Sequence, residues 1–154
     1  LEKNVTDPED KHSPQGGSGV YAIDEQVGYL LRKAYQRNAV IFGEKFQGGL
    51  TPTQFALIAR LRDLESVSQN ELGRRVGLDV ATTKGVVDRL LGRGLVRSDR
   101  DPNDRRRQLI SLTPEGERLF DANAGAALEV SAETLAPLTV AERRTFLKLL
   151  RKIQ

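Results

Sequence analysis

Between Arg89 and Arg107 the chain carries seven arginines and three aspartates, with no lysine or glutamate. Guanidinium groups suit phosphate oxygens and base edges, which they bind through paired, charge-assisted hydrogen bonds. The turn-forming run DPNDRR, residues 101–106, separates two segments of β-branched, alternating character at 95–100 and 108–112. That pattern predicts a β-hairpin with arginines at its tip, and with Ile110 and Leu112 on one face of its second strand. An arginine tip on a narrow hairpin can enter a DNA minor groove, where negative potential is concentrated. The bland alternative is a solvated charged face, and what precedes the hairpin weighs against it.

Immediately upstream, residues 68–94 read SQNELGRRVGLDVATTKGVVDRLLGRG. Ser68 with Glu71 three residues on is a capping box, so a helix is expected from Gln69, with Leu72 and Val76 inward and Gly77 ending it in a left-handed conformation. Asp79 can cap a second helix in which Val80, Thr83, Val86, Val87 and Leu90 share one side, and Gly94 stops it. A helix, a tight turn and a second helix make a helix-turn-helix, whose second helix can lie in a major groove. With the hairpin behind it, the stretch predicts a winged DNA-binding module.

Composition limits the alternatives. The chain has 154 residues, a formal net charge of +3 and no cysteine. One domain with a real core fits that length. Disulfides, thiolate metal sites and thiol redox sensing are excluded. The single histidine, His12, lies in a charged, Pro/Gly/Ser-rich segment (1–19) expected to be a flexible tail, so a histidine-rich zinc site is not expected, a carboxylate-only site being the alternative left open, and no metal or cofactor is assigned. Acid-base or nucleophilic catalysis needs a positioned His, Cys or carboxylate pair, and no P-loop or Gly-x-Ser-x-Gly pattern is present either. An enzyme is not expected. No apolar run reaches the roughly 20 residues that span a bilayer. No signal peptide is visible, and the cytoplasm is the expected compartment. The chain begins at Leu1 and contains no methionine, so its start is expected to have been removed or to lie upstream.

The winged module, at about 51–113, is flanked by helical patterns. The first covers about 24–46, with Val27, Leu30, Leu31, Ala34, Asn38 and Ile41 on one stripe and Tyr35, Ala39, Phe42 and Phe46 on another. Thr51-Pro52-Thr53-Gln54 is a capping box that starts a helix carrying Phe55, Ile58, Ala59 and Leu61 to Leu64. The link 65–67 can add a third strand beside the hairpin. Thr113-Pro114 opens a long helix to about Leu135, with Leu119, Ala122, Ala126 and Val130 at helical spacing. Thr139 and Glu142 cap a last helix with Phe146, Leu149, Leu150 and Ile153 on one face. The fold class expected is mainly α with a small β-hairpin wing: a single domain over 20–154, with flanking helices at about 24–47 and 114–153. Those flanking helices can meet each other or those of a second copy. A two-fold protein would read two half-sites about one helical turn, or ~34–36 Å, apart.

Residues 24–153 resemble the multiple antibiotic resistance regulator (MarR) family of winged helix-turn-helix proteins. The resemblance rests on LTPTQFALIARL, on QNELGRRVGLDVATTKGVVDRLLGRGLV and on DPNDRRRQLISLTPEGERL. The last is the most specific: Asp104-Arg105-Arg106, then Leu112-Thr113 and Gly116, follow the family's wing pattern. The resemblance implies an obligate homodimer on a palindromic operator, built from the N- and C-terminal helices. It also implies that Arg106 enters the minor groove, with Asp104 holding its guanidinium and Arg105 beside it.

On the recognition helix Thr82, Thr83 and Lys84 are the expected base or phosphate contacts, Lys84 being suited to guanine O6 or N7 and Arg89 to a phosphate. Thr83 also falls on the apolar stripe and can equally be buried. Many relatives carry Arg where this chain has Gly85, which shifts the expected base contact to Lys84. Family members commonly repress until a small molecule binds between the dimer helices and the winged unit. Lacking Cys, and His beyond residue 12, the chain departs from the peroxide- and zinc-responsive branches. That leaves a small organic effector; the resemblance, nearest to regulators of aromatic-acid breakdown, implies an aromatic one, phenolic, carboxylate or coenzyme A thioester. Tyr35, Asn38, Phe42 and Arg60 are the pocket candidates, with core packing the alternative for Tyr35 and Phe42 and a helix contact for Asn38. The rival function is a ligand-independent or architectural winged-helix DNA binder.

Overall fold

The computed structural model describes residues 21–154 except Arg105; the tail expected over 1–19, with His12, lies outside the described residues. After a 3-10 turn at Ile23–Glu25 come α1 (Val27–Lys45), α2 (Pro52–Leu64), β1 (Ser66–Ser68), α3 (Gln69–Val76), α4 (Val80–Gly92), β2 (Val96–Arg100), β3 (Gln108–Leu112), α5 (Pro114–Thr134) and α6 (Val140–Lys152). This is the mainly helical, winged architecture read from the sequence.

Local chemistry sets most boundaries. Thr51 and Gln54 form the reciprocal capping box, as do Thr139 and Glu142. Ser68 makes only half of one. Its hydroxyl accepts from the Glu71 N–H, but the Glu71 carboxylate turns to Arg74 and Arg75 instead. Gly77 ends α3 at φ +70°. Glu65 ends α2 at φ +60°, an uncommon conformation for a residue with a side chain. The third strand therefore begins at Ser66, one residue later than expected.

The three strands order as β1-β3-β2, all antiparallel, with Val67 opposite Ile110 and Ser98 opposite the same residue from the other side. Thr113 joins the wing to α5: its hydroxyl donates to the Gly94 carbonyl and accepts from the Gly116 N–H. Gly116 lies so close to Leu95 that a Cβ there would stand 2.0 Å from the Leu95 carbonyl oxygen. That contact is a physical reason for glycine at the end of the Leu-Thr-x-x-Gly pattern.

The core gathers on α2. Leu57, Ile58 and Leu61 are fully buried against Leu72, Val87 and Leu90 of the two following helices. Each such side chain contributes about 1.5–3 kcal/mol on burial. A second cluster is aromatic: Phe42 stacks on Phe46, Phe46 meets Phe55 edge-on, and Phe55 stacks on Phe120. It ties α1, α2 and α5 together. Three apolar stripes run shorter than their periodicity suggested. Val80 is exposed although Thr83, Val86, Val87 and Leu90 are buried. On α5, Ala122 faces out and Asn123 is the buried residue. On α1 only Ile41 and Phe42 are buried, while Val27, Leu30 and Leu31 are exposed. Helix α6 has no buried residue at all.

Candidate DNA-reading surface and effector cleft

The two helices of the helix-turn-helix lock through Thr83. It is 1% exposed, and its hydroxyl donates to the Asp79 backbone carbonyl at 2.7 Å. The side chain packs on Gly73 of α3. Of the two roles the sequence left open for Thr83, the structure places it in the buried one, which removes it from the base-contacting set. Asp79 caps α4, accepting from the Thr82 N–H at 2.8 Å and from the Thr82 hydroxyl at 2.6 Å. Those bonds, led by the Thr82 hydroxyl, hold the Asp79 carboxyl below its usual range.

Outside this lock, Thr82, Lys84 and Arg89 are exposed. Lys84 forms an ion pair with Asp88 one turn on, at 2.6 Å. Arg89 has no ion-pair partner among the described residues, and its guanidinium lies 3.5 Å from where a Cβ on Gly85 would stand. The outer ridge of α4 is thus nearly bare at Ala81 and Gly85, with Lys84 on one flank and Thr82 and Arg89 on the other.

The wing differs from expectation in one contact. Asp104 does not grip the Arg106 guanidinium; its carboxylate accepts from the Arg106 backbone N–H at 3.0 Å. It shapes the tip as an Asx turn, and Arg106 stays exposed. Arg105 lies outside the described residues. Asp101, 8% exposed, accepts from the Asn103 N–H at 2.8 Å and lies 3.9 Å from Arg107, while Asp99 pairs with Arg97 at 3.1 Å. Arg107 also donates to the Ser68 hydroxyl at 3.3 Å, tethering the wing to the start of α3. Asp101, Arg107 and Ser68 were not legible in the sequence as a set, because 39 residues separate Ser68 from Arg107.

Of the four pocket candidates, one lines a cleft at the expected place. Tyr35 of α1 borders an open cleft of about 260 Å³ with Pro52, Thr53, Ala56 and Leu57 of α2, Val76 at the end of α3 and Leu78 of the α3–α4 turn. The other three are held elsewhere. Asn38 donates to the Thr134 hydroxyl at 3.0 Å, a bond between α1 and α5. Phe42 belongs to the aromatic cluster. Arg60 is exposed and pairs with Asp63 at 3.4 Å. Asn38 and Phe42 thus take the packing roles left open for them, and Arg60 is a surface charge. The cleft residues of α2 and the turn were not anticipated; their signal, small and apolar residues beside a cap, is common to any buried helix start.

A larger apolar groove, about 470 Å³, runs between Val27, Leu30, Leu31 and Ala34 of α1 and Phe146, Leu149, Leu150 and Ile153 of α6. Among the described residues no three His, Asp or Glu side chains gather as metal ligands, and no helix is long and apolar enough to cross a membrane.

An exposed second helix on a glycine-paced lock, with an arginine-bearing hairpin beside it, defines a winged helix-turn-helix protein. Residues 50–107 match the MarR family model. Over 134 residues the chain is 42% identical to the HTH-type transcriptional repressor NicR of Pseudomonas putida, covering 86% of this chain and 85% of that one. Among solved structures, it resembles a probable transcriptional regulator from Pseudomonas aeruginosa at 44% identity and a TM-score of 0.84, covering 86% of this chain and 100% of that one. It also resembles BpsR of Bordetella bronchiseptica, whose DNA binding is regulated by 6-hydroxynicotinic acid, at 39% identity and a TM-score of 0.82, covering 88% and 97%. The chain belongs to the MarR family, whose members are DNA-binding transcriptional regulators and not enzymes.

Proposed function

We propose that the protein is a homodimeric cytoplasmic repressor that holds a palindromic operator until a small aromatic acid enters the Tyr35 cleft. The position of that cleft carries the reading. Its walls are α1, α2 and the α3–α4 turn, so an occupant presses on the turn that sets the recognition helix. At about 260 Å³ it falls just below the ~300–1,000 Å³ of pockets for drug-sized ligands. That size suits a single-ring acid better than a whole coenzyme A thioester. Similarity to BpsR points to a hydroxylated heteroaromatic carboxylate, with the Tyr35 and Thr53 hydroxyls as polar contacts.

On DNA, Thr82 and Lys84 address base edges and Arg89 a phosphate, while Arg106, with its neighbour Arg105, enters the minor groove. Asp104 acts by folding the tip. The dimer is supported by α6, in which no residue is fully buried on its own chain. Its apolar face and that of α1 need a second copy to leave water.

The test is binding to the intergenic DNA upstream of the protein's own gene, titrated with a panel of aromatic acids that includes 6-hydroxynicotinic acid. Release by one acid, lost in Tyr35→Ala, is the expected result. Palindrome-specific binding that every acid leaves undisturbed would remove the effector and leave a ligand-independent DNA binder.

A further inference from the structure

Arg93 follows the last residue of the recognition helix and is exposed. Its guanidinium does not turn to an acid. It donates from Nη1 to the Gly49 carbonyl at 3.2 Å and from Nη2 to the Gly48 carbonyl, both in the link between α1 and α2. That link is curled by two consecutive positive φ angles, +81° at Gly48 and +61° at Gly49, and its two carbonyls meet the same planar fork. On its other side the link is fixed to α5. The Gln47 N–H donates to Asn123 Oδ1 at 2.9 Å, and Asn123, 1% exposed, is itself held through the Leu119 carbonyl. Gly48 packs on Leu119 so closely that a Cβ would stand 2.7 Å from its Cδ1.

We propose that Arg93 is a positioning residue: its clamp on Gly48 and Gly49 fixes the angle of the recognition helix against the α1–α5 frame, and so sets the half-site spacing that the dimer accepts. The inference rests on the dimeric, DNA-binding reading above. Exposed carbonyls find water readily, so folding does not require this arginine to cap them. The bidentate geometry instead fixes direction, which a planar guanidinium does better than an ammonium. One extra base pair between half-sites moves them ~3.4 Å apart and turns one against the other by about a tenth of a helical turn. To follow that change each recognition helix must swing, and the clamp resists the swing.

A palindromic duplex recovered by selection from a random library is re-made with the half-sites one base pair closer and one farther. Affinities are measured for wild type, Arg93→Ala and Arg93→Lys, beside amide exchange of the free proteins over residues 47–50. In Arg93→Ala the affinity ratio between native and altered spacing should shrink by about 2- to 30-fold, the size of coupling changes that single residues exert. The 47–50 amides should exchange faster, and Arg93→Lys should fall between. Equal loss of affinity at every spacing would make Arg93 a phosphate contact and overturn the clamp. Unchanged amide exchange would overturn it too, whatever the DNA result. Faster exchange in Arg93→Ala, in a wild-type protein that selects no palindrome, would retain the mechanical contact and sink the operator reading on which its purpose depends.

Discussion

The Thr83 hydroxyl oxygen lies 2.5 Å from the point where a Cβ on Gly73 would be. Helices α3 and α4 cross at this contact, with the Leu78 carbonyl 3.3 Å from the same point. Gly73→Ala must therefore push the recognition helix away from its partner. A net destabilisation of about 1–2 kcal/mol is expected, overpacking partly offset by the helix preference for alanine. Thr83→Ala should restore part of it, so that the double variant is less than additive by urea unfolding. Strict additivity would mean that the two residues do not share a contact.

The flanks of α4 give different DNA phenotypes. Lys84→Ala should relax sequence preference at one base pair per half-site by about 1–3 kcal/mol. Arg89→Ala should weaken binding uniformly across sequences. Selection and sequencing of bound duplexes checks both; a flat profile in Arg89→Ala with an intact one in Lys84→Ala would exchange their roles.

How far these roles were legible follows from distance along the chain. The Thr51–Gln54 box, the Asp79 cap and the left-handed Gly77 are each decided within four residues, and the sequence pattern located all three. The helical period identified Thr83 as inward but carried the stripe one turn too far at Val80, because periodicity says which side faces in and not where the neighbour ends. Asp104 and Arg106 were paired through resemblance; in the structure the aspartate serves the backbone, and Asp101 meets Arg107. Arg93 offered no signal at all, since its partners are two glycine carbonyls 44 and 45 residues away.

Assembly is testable without DNA. Leu30 and Leu149 are 50% and 54% exposed on the single chain, on opposite walls of the α1–α6 groove. Leu30→Glu with Leu149→Glu should sediment as a monomer at micromolar concentration, while wild type sediments as a dimer. A monomeric wild type would remove the palindrome argument.

Acid should loosen the first turns of α3, α4 and α6. Hydrogen bonds from Thr82 hold Asp79 below its ordinary carboxyl range, those from Arg75 and Arg74 lower Glu71, and the Thr139 N–H and hydroxyl lower Glu142. A depressed pKa contributes stability that is complete above the unfolded value, about 3.9 for Asp and 4.3 for Glu, and is lost as pH falls through the folded value. Tm should fall as pH drops below about 4, and Asp79→Asn, which keeps a cap without titrating, should flatten part of that fall. Identical slopes would show that the cap does not distinguish charge.

Glu65 sits at φ +60° and ψ −53°, where a side chain costs roughly 1–3 kcal/mol. Glu65→Gly should therefore raise stability by about 1 kcal/mol, after the entropy that glycine adds to the unfolded chain. A lower urea midpoint in Glu65→Gly would show the turn to be unstrained.

The acids beside the cations of the winged unit would have a consequence for searching a genome. Lys84 is paired with Asp88, Arg97 with Asp99, Arg74 and Arg75 with Glu71, and Arg107 with Asp101. A paired cation brought to a phosphate brings its carboxylate with it, one shared between Arg74 and Arg75, so fewer counterions would leave the duplex than the arginine count implies. The slope of log affinity on log salt should be correspondingly shallow. Such a protein should hold random DNA weakly, spend little time trapped on it, and owe its residence at an operator to shape and base edges.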